Sequence, residues 1–347
     1  MRKNVPLSIL RHVAFVLVTS VATQDSFADS DAYTNGVSSY IVRAAAFAAT
    51  GNWDKMIAEC SEAIRLNPNA IDAYRGRGAA YYQKGDWNNV ISNYSEVIRL
   101  KPNDPDDSDA YSYLGYAYDK LGDYDKAIES YNKYLDLNPR ASAEHYSRGT
   151  IYGKKREADK AISDYDAAIK LDPKNADAYF MRGFENGYKG DFDKTIDDLS
   201  EAIRLKPKNP QAYLYRADAY RHKGDLEKAV DDYSKSSNLD PNNTFVWSSL
   251  NHVAWQLATS PENSIRNGKK SLEAAKTVCE LSAWGDWRFL DTLAAAYAET
   301  GDFDNATKFQ KMALAWKAQR KFNSDFGLVE RLQLYEQKKP YREVLKE

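Results

Sequence analysis

The sequence predicts an all-α solenoid built from stacked helix-turn-helix hairpins, and two observations predict it. First, apart from one insertion, the chain returns to the same register every 34 residues, with a glycine 17 residues before a proline in five units. Glycine allows the positive φ of a turn between two helices, and proline cannot continue the second helix. Second, apolar residues between these marks recur at helical spacing. The register is set by these residues: Gly51, Gly85, Gly122, Gly190 and Gly224, followed by Pro68, Pro102, Pro139, Pro207 and Pro241, with Arg156 in the glycine position before Pro173.

The first 28 residues have the pattern of a signal peptide. Arg2, Lys3 and Arg11 precede the apolar run 13–18, and small residues stand at positions 26 and 28. We predict cleavage after Ala28, with Ala22 as the alternative, and export to the periplasm or the medium. The apolar run is about half of the ~20 residues that a membrane span needs, so no span is expected in the mature form.

Six regular hairpin units follow a short polar leader at 29–36. We place them at 37–70, 71–104, 108–141, 142–175, 176–209 and 210–243. Pro105, Asp106 and Asp107 form an insertion that we expect to be exposed, because proline there cannot extend a helix. Beyond residue 243 we predict an atypical hairpin at 244–286 with a long turn, a final regular unit at 287–320, and a capping helix and tail at 321–347. The capping helix is predicted over about 316–337.

Small and large residues alternate where two helices of a unit must approach. Gly78, Gly115, Gly149 and Gly183 stand in the first helices, and tyrosines are abundant beside them, with 25 in the chain. One such hairpin cannot bury its own apolar face, so the units must stack.

The period and these positions resemble tetratricopeptide repeats over about nine tenths of the predicted mature chain. The resemblance implies a right-handed superhelix whose first helices line a concave groove, and a role in binding proteins. The segments 254–255, 290–294 and 339–343 also resemble a C-terminal module of exported bacterial repeat proteins.

The resemblance assigns one stripe of the first helices to the groove. An aromatic groove with mixed charge suits an extended peptide or a partner helix, because Tyr and Arg dominate binding hot spots. The alternative is that these rings pack between neighbouring helices. The candidate residues are the aromatic Tyr82, Tyr116, Tyr146, Phe180, Phe184 and Tyr188, the basic Arg75, Lys120, Lys154, Arg221 and His222, and the acidic Asp72, Asp109, Asp119 and Asp218 between them.

A column of arginines at the seventh position of five units invites a second reading, as a site for an acidic ligand. Its spacing from neighbouring large residues instead puts it on the packing stripe, where a buried arginine needs a partner. A carboxylate sixteen residues later supplies one, and where the arginine is lost, at Leu114, the carboxylate is lost too, at Ser130. We therefore predict structural pairs between Arg43 and Glu59, Arg148 and Asp164, Arg182 and Asp198, and Arg216 and Asp232, with Asn93 opposite Arg77 as an imperfect case.

Several function classes find no support in the sequence. A net charge of −2 gives no nucleic-acid footprint. No His or Cys spacing suits a metal, and a stacked array would hold Cys60 and Cys279 too far apart for a disulfide. The stretch 149–155 has the wrong spacing for a phosphate loop, and no catalytic constellation or cofactor motif is present. The groove also lacks the asparagine between two basic residues with which some members of the family bind C-terminal carboxylates.

We therefore expect a non-catalytic scaffold that binds a protein or peptide, without metal or cofactor. Two alternatives stay open. Copies of the chain could self-associate through terminal faces or the C-terminal module, or the aromatic groove could bind cell-wall glycans.

Overall fold

The structure, a computed structural model, describes residues 36–102, 108–320 and 326–343. These residues form seventeen α-helices and no strand. The predicted signal peptide and the insertion at Pro105, Asp106 and Asp107 lie outside the described residues. The helices are α1 Val37–Ala49, α2 Trp53–Leu66, α3 Ile71–Lys84, α4 Trp87–Leu100, α5 Asp109–Leu121, α6 Tyr124–Leu137, α7 Ser142–Lys154, α8 Ala158–Leu171, α9 Ala176–Tyr188, α10 Phe192–Leu205, α11 Pro210–His222, α12 Leu226–Leu239, α13 Thr244–Thr259, α14 Gly268–Leu281, α15 Trp287–Glu299, α16 Phe303–Gln319 and α17 Leu328–Glu336.

The chain divides into two compact units, 1–173 and 174–347. The first contains α1 to α8 and the second α9 to α17. Within each unit, every helix packs against the next one along the chain. The first helices of adjacent hairpins also contact each other: α1 contacts α3, α9 contacts α11, and α13 contacts α15. These contacts confirm the predicted all-α solenoid of stacked hairpins.

The turns inside the hairpins use the predicted glycines. Gly85, Gly122 and Gly224 have φ values of 75°, 81° and 81°, where a side chain would be strained. The next residue is an aspartate that caps the second helix, as Asp225 does by accepting a hydrogen bond from the Lys228 amide. At the exceptional turn, Arg156 itself takes a φ of 61°, and the following residue makes no side-chain cap.

The small residues of the first helices permit close approach to the second helices. A Cβ added to Gly115 would lie 2.8 Å from the Tyr131 ring, and one added to Gly149 would lie 2.9 Å from the Tyr165 ring. Tyr165 is fully buried and Tyr131 nearly so. In these hairpins glycine therefore makes room for an aromatic ring, as the pattern of small and large residues predicts, whereas Gly183 makes room for Leu199 and Asp198.

The predicted final helix over 316–337 is wrong, because the segment contains two helices. α16 ends at Gln319 and α17 begins only at Leu328. Phe326 and Gly327, directly before α17, both have positive φ, at 52° and 71°, so the helical path cannot run through them.

A buried polar network around Asp291 joins the last helices of the chain. Asp291 on α15 accepts two hydrogen bonds from Arg331 on α17, both of 2.8 Å, and a third from Gln310 on α16 at 2.9 Å. The Arg331 guanidinium lies over the Trp255 ring of α13, and Trp255 Nε1 donates to Glu343 Oε2 at 3.2 Å. The residues that resemble a C-terminal module thus tie the last helices and the tail to α13.

Candidate functional site

The arginine column forms structural ion pairs, as predicted. On α11, Arg216 Nε and Nη2 donate to the Asp232 carboxylate of α12 at 2.7 and 2.8 Å, and Nη1 donates to Ser200 Oγ of the preceding hairpin at 2.9 Å. One arginine therefore joins three helices. The equivalent contacts are Arg43 to Glu59 at 2.7 Å, Arg77 to Asn93 at 2.8 Å, Arg148 to Asp164 at 2.6 and 2.8 Å, and Arg182 to Asp198 at 2.5 and 3.0 Å.

In the first unit, two predicted groove residues belong to one aromatic cluster. The Tyr82 ring of α3 and the Tyr116 ring of α5 lie 5.1 Å apart between centroids. Trp87 contacts both at 5.7 and 5.6 Å, and Tyr113 contacts Tyr82 at 5.3 Å. All four rings are half-buried, and Lys120 Nζ lies 4.7 Å above Tyr116. Much of this cluster is packing between neighbouring helices.

The remaining candidates of the first unit are held by close neighbours. Arg75 Nη1 donates to Asp72 at 3.0 Å, within α3. Lys154 Nζ reaches Asp119 of another first helix at 2.5 Å. Tyr146 lies against the buried Tyr165, 5.9 Å between ring centroids. Two of the predicted basic residues of this surface, Arg75 and Lys154, are therefore paired with predicted acidic ones.

In the second unit, Phe180, Phe184 and Tyr188 follow one another along α9 and are joined by Tyr215 of α11. Phe184 lies 5.2 Å from Tyr188 and 5.0 Å from Tyr215, and Phe180 lies 5.9 Å from Tyr215. The Tyr188 side chain is 80% exposed although it is a large ring. We call these four residues the aromatic patch. It differs from the cluster around Tyr82 in that one of its rings, Tyr188, is largely exposed to solvent.

Arg221 and His222 lie at the end of α11 and are not part of the aromatic patch. His222 stacks on Phe192 of α10, with 4.6 Å between ring centroids, and so packs on the preceding hairpin. Arg221 lies 3.8 Å from Asp218, and its Nη2 lies 3.2 Å from His222 Nε2. The sequence grouped both with the groove, but they do not join the patch.

Burial raises the pKa of one tyrosine and of both cysteines. It raises the pKa of Tyr113 to about 12, and the pKa of the buried Cys60 and Cys279 thiols to about 12. Both cysteines are free, so the prediction of helix-packing thiols is confirmed. Neither supplies a thiolate nucleophile near neutral pH, because the ionised fraction is very small.

Two further kinds of site have no counterpart in the described part of the chain. None of its helices has the length and apolar character needed to cross a bilayer. Likewise, no three His, Cys, Asp or Glu side chains among the described residues are arranged to hold a metal ion.

Several solved structures are similar to this chain. The C-terminal part of a TPR repeat-containing protein from Cytophaga hutchinsonii is 21% identical, with a TM-score of 0.52, over 74% of this chain and 98% of that chain. MamA is 28% identical, with a TM-score of 0.46, over 50% and 94% of the two chains. YrrB, described as a TPR protein with an unusual peptide-binding site, is 21% identical, with a TM-score of 0.47, over 57% and 96%. No curated protein matches the sequence significantly.

Family models match most of the regular repeats. A model described as TPR repeat matches residues 44–85, 78–122 and 157–187, and two described as tetratricopeptide repeat match 108–140 and 187–243. Together they span 44–140 and 157–243, more than half of the 347 residues. The chain therefore belongs to the tetratricopeptide repeat family.

Proposed function

We propose that this chain is a non-catalytic interaction scaffold that binds an extended peptide or a partner helix on its first helices. The aromatic patch is the observation that supports this most. Its rings come from two adjacent first helices, and Tyr188 projects into solvent. Exposed aromatic groups of this kind anchor partners because they bury a large area at low entropic cost.

The chemistry around the patch favours binding over catalysis. The arginine column is used for internal pairs, as at Arg216 and Asp232 on the helices beside the patch. The exposed ring of Tyr188 is therefore the surface that the patch offers to a partner. Such a surface suits an apolar or aromatic anchor residue of a partner, with hydrogen bonds along the edge.

The test is a selection of peptides from a displayed library on the purified chain, followed by fluorescence polarisation with the selected peptides. Tyr188→Ala should weaken binding about tenfold or more, since a hot-spot aromatic contributes about 2 kcal/mol. Phe326→Ala is the matched control, because Phe326 is also an exposed ring, at 59%, but lies outside the first helices. Equal binding by the wild type and Tyr188→Ala would refute the proposal.

Self-association is the second candidate. Phe326 stacks on Trp287, 5.3 Å between ring centroids, yet more than half of it faces solvent near the start of the last helix, α17. Light scattering over a hundredfold concentration range tests this directly. A mass that rises with concentration in the wild type and stays monomeric in Phe326→Ser would support it.

Export is proposed on the sequence of the first 28 residues, where three basic residues precede a short apolar run. The partner would then be met outside the cytoplasm.

A further inference from the structure

A cleft of about 280 Å³ lies within the second unit. It is lined by the end of α11 and the start of α12, by α13 and the long turn that follows it, and by the tail at Glu343. Small-molecule pockets begin near ~300 Å³, so this volume suits one side chain better than a cofactor. We propose that the cleft receives an arginine or lysine side chain of the peptide bound by the scaffold.

The walls of the cleft divide into an apolar and an acidic part. Leu226, Pro261 and Ile265 provide apolar surface. Glu262 and Glu343 provide two carboxylates. A long basic side chain matches this division, because its methylene stem packs on apolar surface while its charged head donates hydrogen bonds to carboxylates.

The charge balance also favours a cation. The one basic residue of the lining, Arg221, lies 3.8 Å from Asp218, which offsets its charge. Glu343 Oε2 accepts one hydrogen bond, from Trp255 Nε1, and an ionised carboxylate can accept several more. Arg266, which donates to the Ser260 and Pro261 carbonyls, is paired with Glu299 at 3.0 Å. Within the lining itself, two carboxylates therefore face one basic group.

A buried acceptor in the lining has no partner. Gln256 on α13 lines the cleft, and its Oε1 atom is buried without a hydrogen bond. Leaving such a group unpaired costs about 1–3 kcal/mol, and a donor entering the cleft would remove that cost. Arginine brings five N–H donors, enough to serve this amide and the two carboxylates together.

The position of the cleft sets a minimum spacing for the peptide. Tyr215 of the aromatic patch and Arg221 of the cleft are both on α11, six residues apart, which is about 9 Å along the helix axis and about 120° around it. An extended peptide therefore needs at least about three residues to connect the two positions. The inference rests on the proposed function, since it adds a basic residue at least about three positions from the aromatic or apolar anchor.

The experiment uses Nα-acetyl-arginine methylamide as the probe and the neutral citrulline analogue as its isosteric comparison. The readout is the indole N–H resonance of Trp255, assigned with Trp255→Phe, because that N–H donates to Glu343. The arginine probe should shift this resonance in a saturable way and the citrulline probe should not. Glu262→Gln and Glu343→Gln should each weaken the arginine probe about tenfold.

Glu280→Gln, which changes an exposed glutamate on α14 in the same unit, is the matched control and should leave the affinity unchanged. Equal shifts with arginine and citrulline would overturn the proposal. A response to Nα-acetyl-glutamate methylamide in place of the arginine probe would also overturn it, and would make Arg221 the anchor.

Failure of the cleft and failure of the aromatic patch are distinguishable. Tyr188→Ala should weaken peptide binding about tenfold or more but leave the arginine probe titration intact. If selected peptides bind equally with arginine or citrulline, the cleft proposal is wrong and the patch stands. If the arginine probe titrates Trp255 but Tyr188→Ala binds peptides as the wild type does, the patch is wrong and the cleft stands.

Discussion

Asp232→Ser removes the carboxylate that holds Arg216, and the structure gives the size of the effect. The Asp232 residue is 6% exposed, and the Arg216 side chain is 18% exposed. The substitution removes both hydrogen bonds between them and leaves the guanidinium with its hydrogen bond to Ser200 Oγ, at 2.9 Å. Breaking a buried pair costs about 3–5 kcal/mol. We expect about 3 kcal/mol, because Arg216 can still reach water.

The chain contains its own control for this change. At the equivalent positions of the third hairpin, Leu114 and Ser130 are both buried and no ion pair is present. The double variant Arg216→Leu, Asp232→Ser copies that arrangement. It should lose much less stability than either single change, because no buried charge is left without a partner.

Urea denaturation followed by circular dichroism measures both effects as free energies of unfolding. We expect the two single variants to lose about 3 kcal/mol each and the double variant to lose about 1 kcal/mol. Additive losses in the double variant would refute the reasoning. A loss below about 1 kcal/mol for Asp232→Ser would show that the pair behaves like an exposed one.

Three further predictions follow from other features. Arg156→Gly should raise stability by about 0.5–1 kcal/mol, because Arg156 has a φ of 61°; thermal melting checks this, and an unchanged or lower melting temperature would contradict it. Glu185 is 6% exposed and burial raises its pKa, so its contribution to stability falls as pH rises through the folded-state pKa. Glu185→Gln should therefore stabilise the chain near neutral pH but not below the ordinary glutamate pKa, and an equal effect at both in urea titrations would refute this. Finally, intact mass of the exported protein should correspond to cleavage after Ala28; a mass that includes residues 1–28 would contradict it.

The hairpins and their internal packing could be predicted from the sequence because they depend on local rules. A glycine with positive φ, a proline beyond a helix end and a small residue opposite an aromatic ring each leave a mark at fixed spacing, as Gly115 and Tyr131 do. The arginine pairs could also be predicted, because Arg216 and Asp232 lie on the two helices of one hairpin, sixteen residues apart.

The composition of the candidate site depends on contacts between hairpins, which the sequence does not encode at a fixed spacing. Tyr215 was missed because it precedes Arg216 of the internal column, and only its ring contact with Phe184 places it in the patch. His222 was grouped with the groove by register, but its ring turns to Phe192. Trp87 was missed because it begins a second helix, although it lies within 5.7 Å of Tyr82. The break before α17 could have been predicted from Gly327, because glycine often marks the boundary of a helix.

The network around Asp291 limits how this chain can have changed length during evolution. A regular hairpin can be duplicated or deleted as a unit, since each one contacts only its neighbours. The last hairpins lack that freedom, because Arg331 and Gln310 are joined to Asp291 on α15 and the tail residue Glu343 is joined to Trp255 on α13, 88 residues away in sequence. Deleting α17 alone would remove Arg331 and leave the buried Asp291 carboxylate without its charged partner. We expect homologues to vary in the number of regular repeats and to inherit residues 244–343 as an indivisible block.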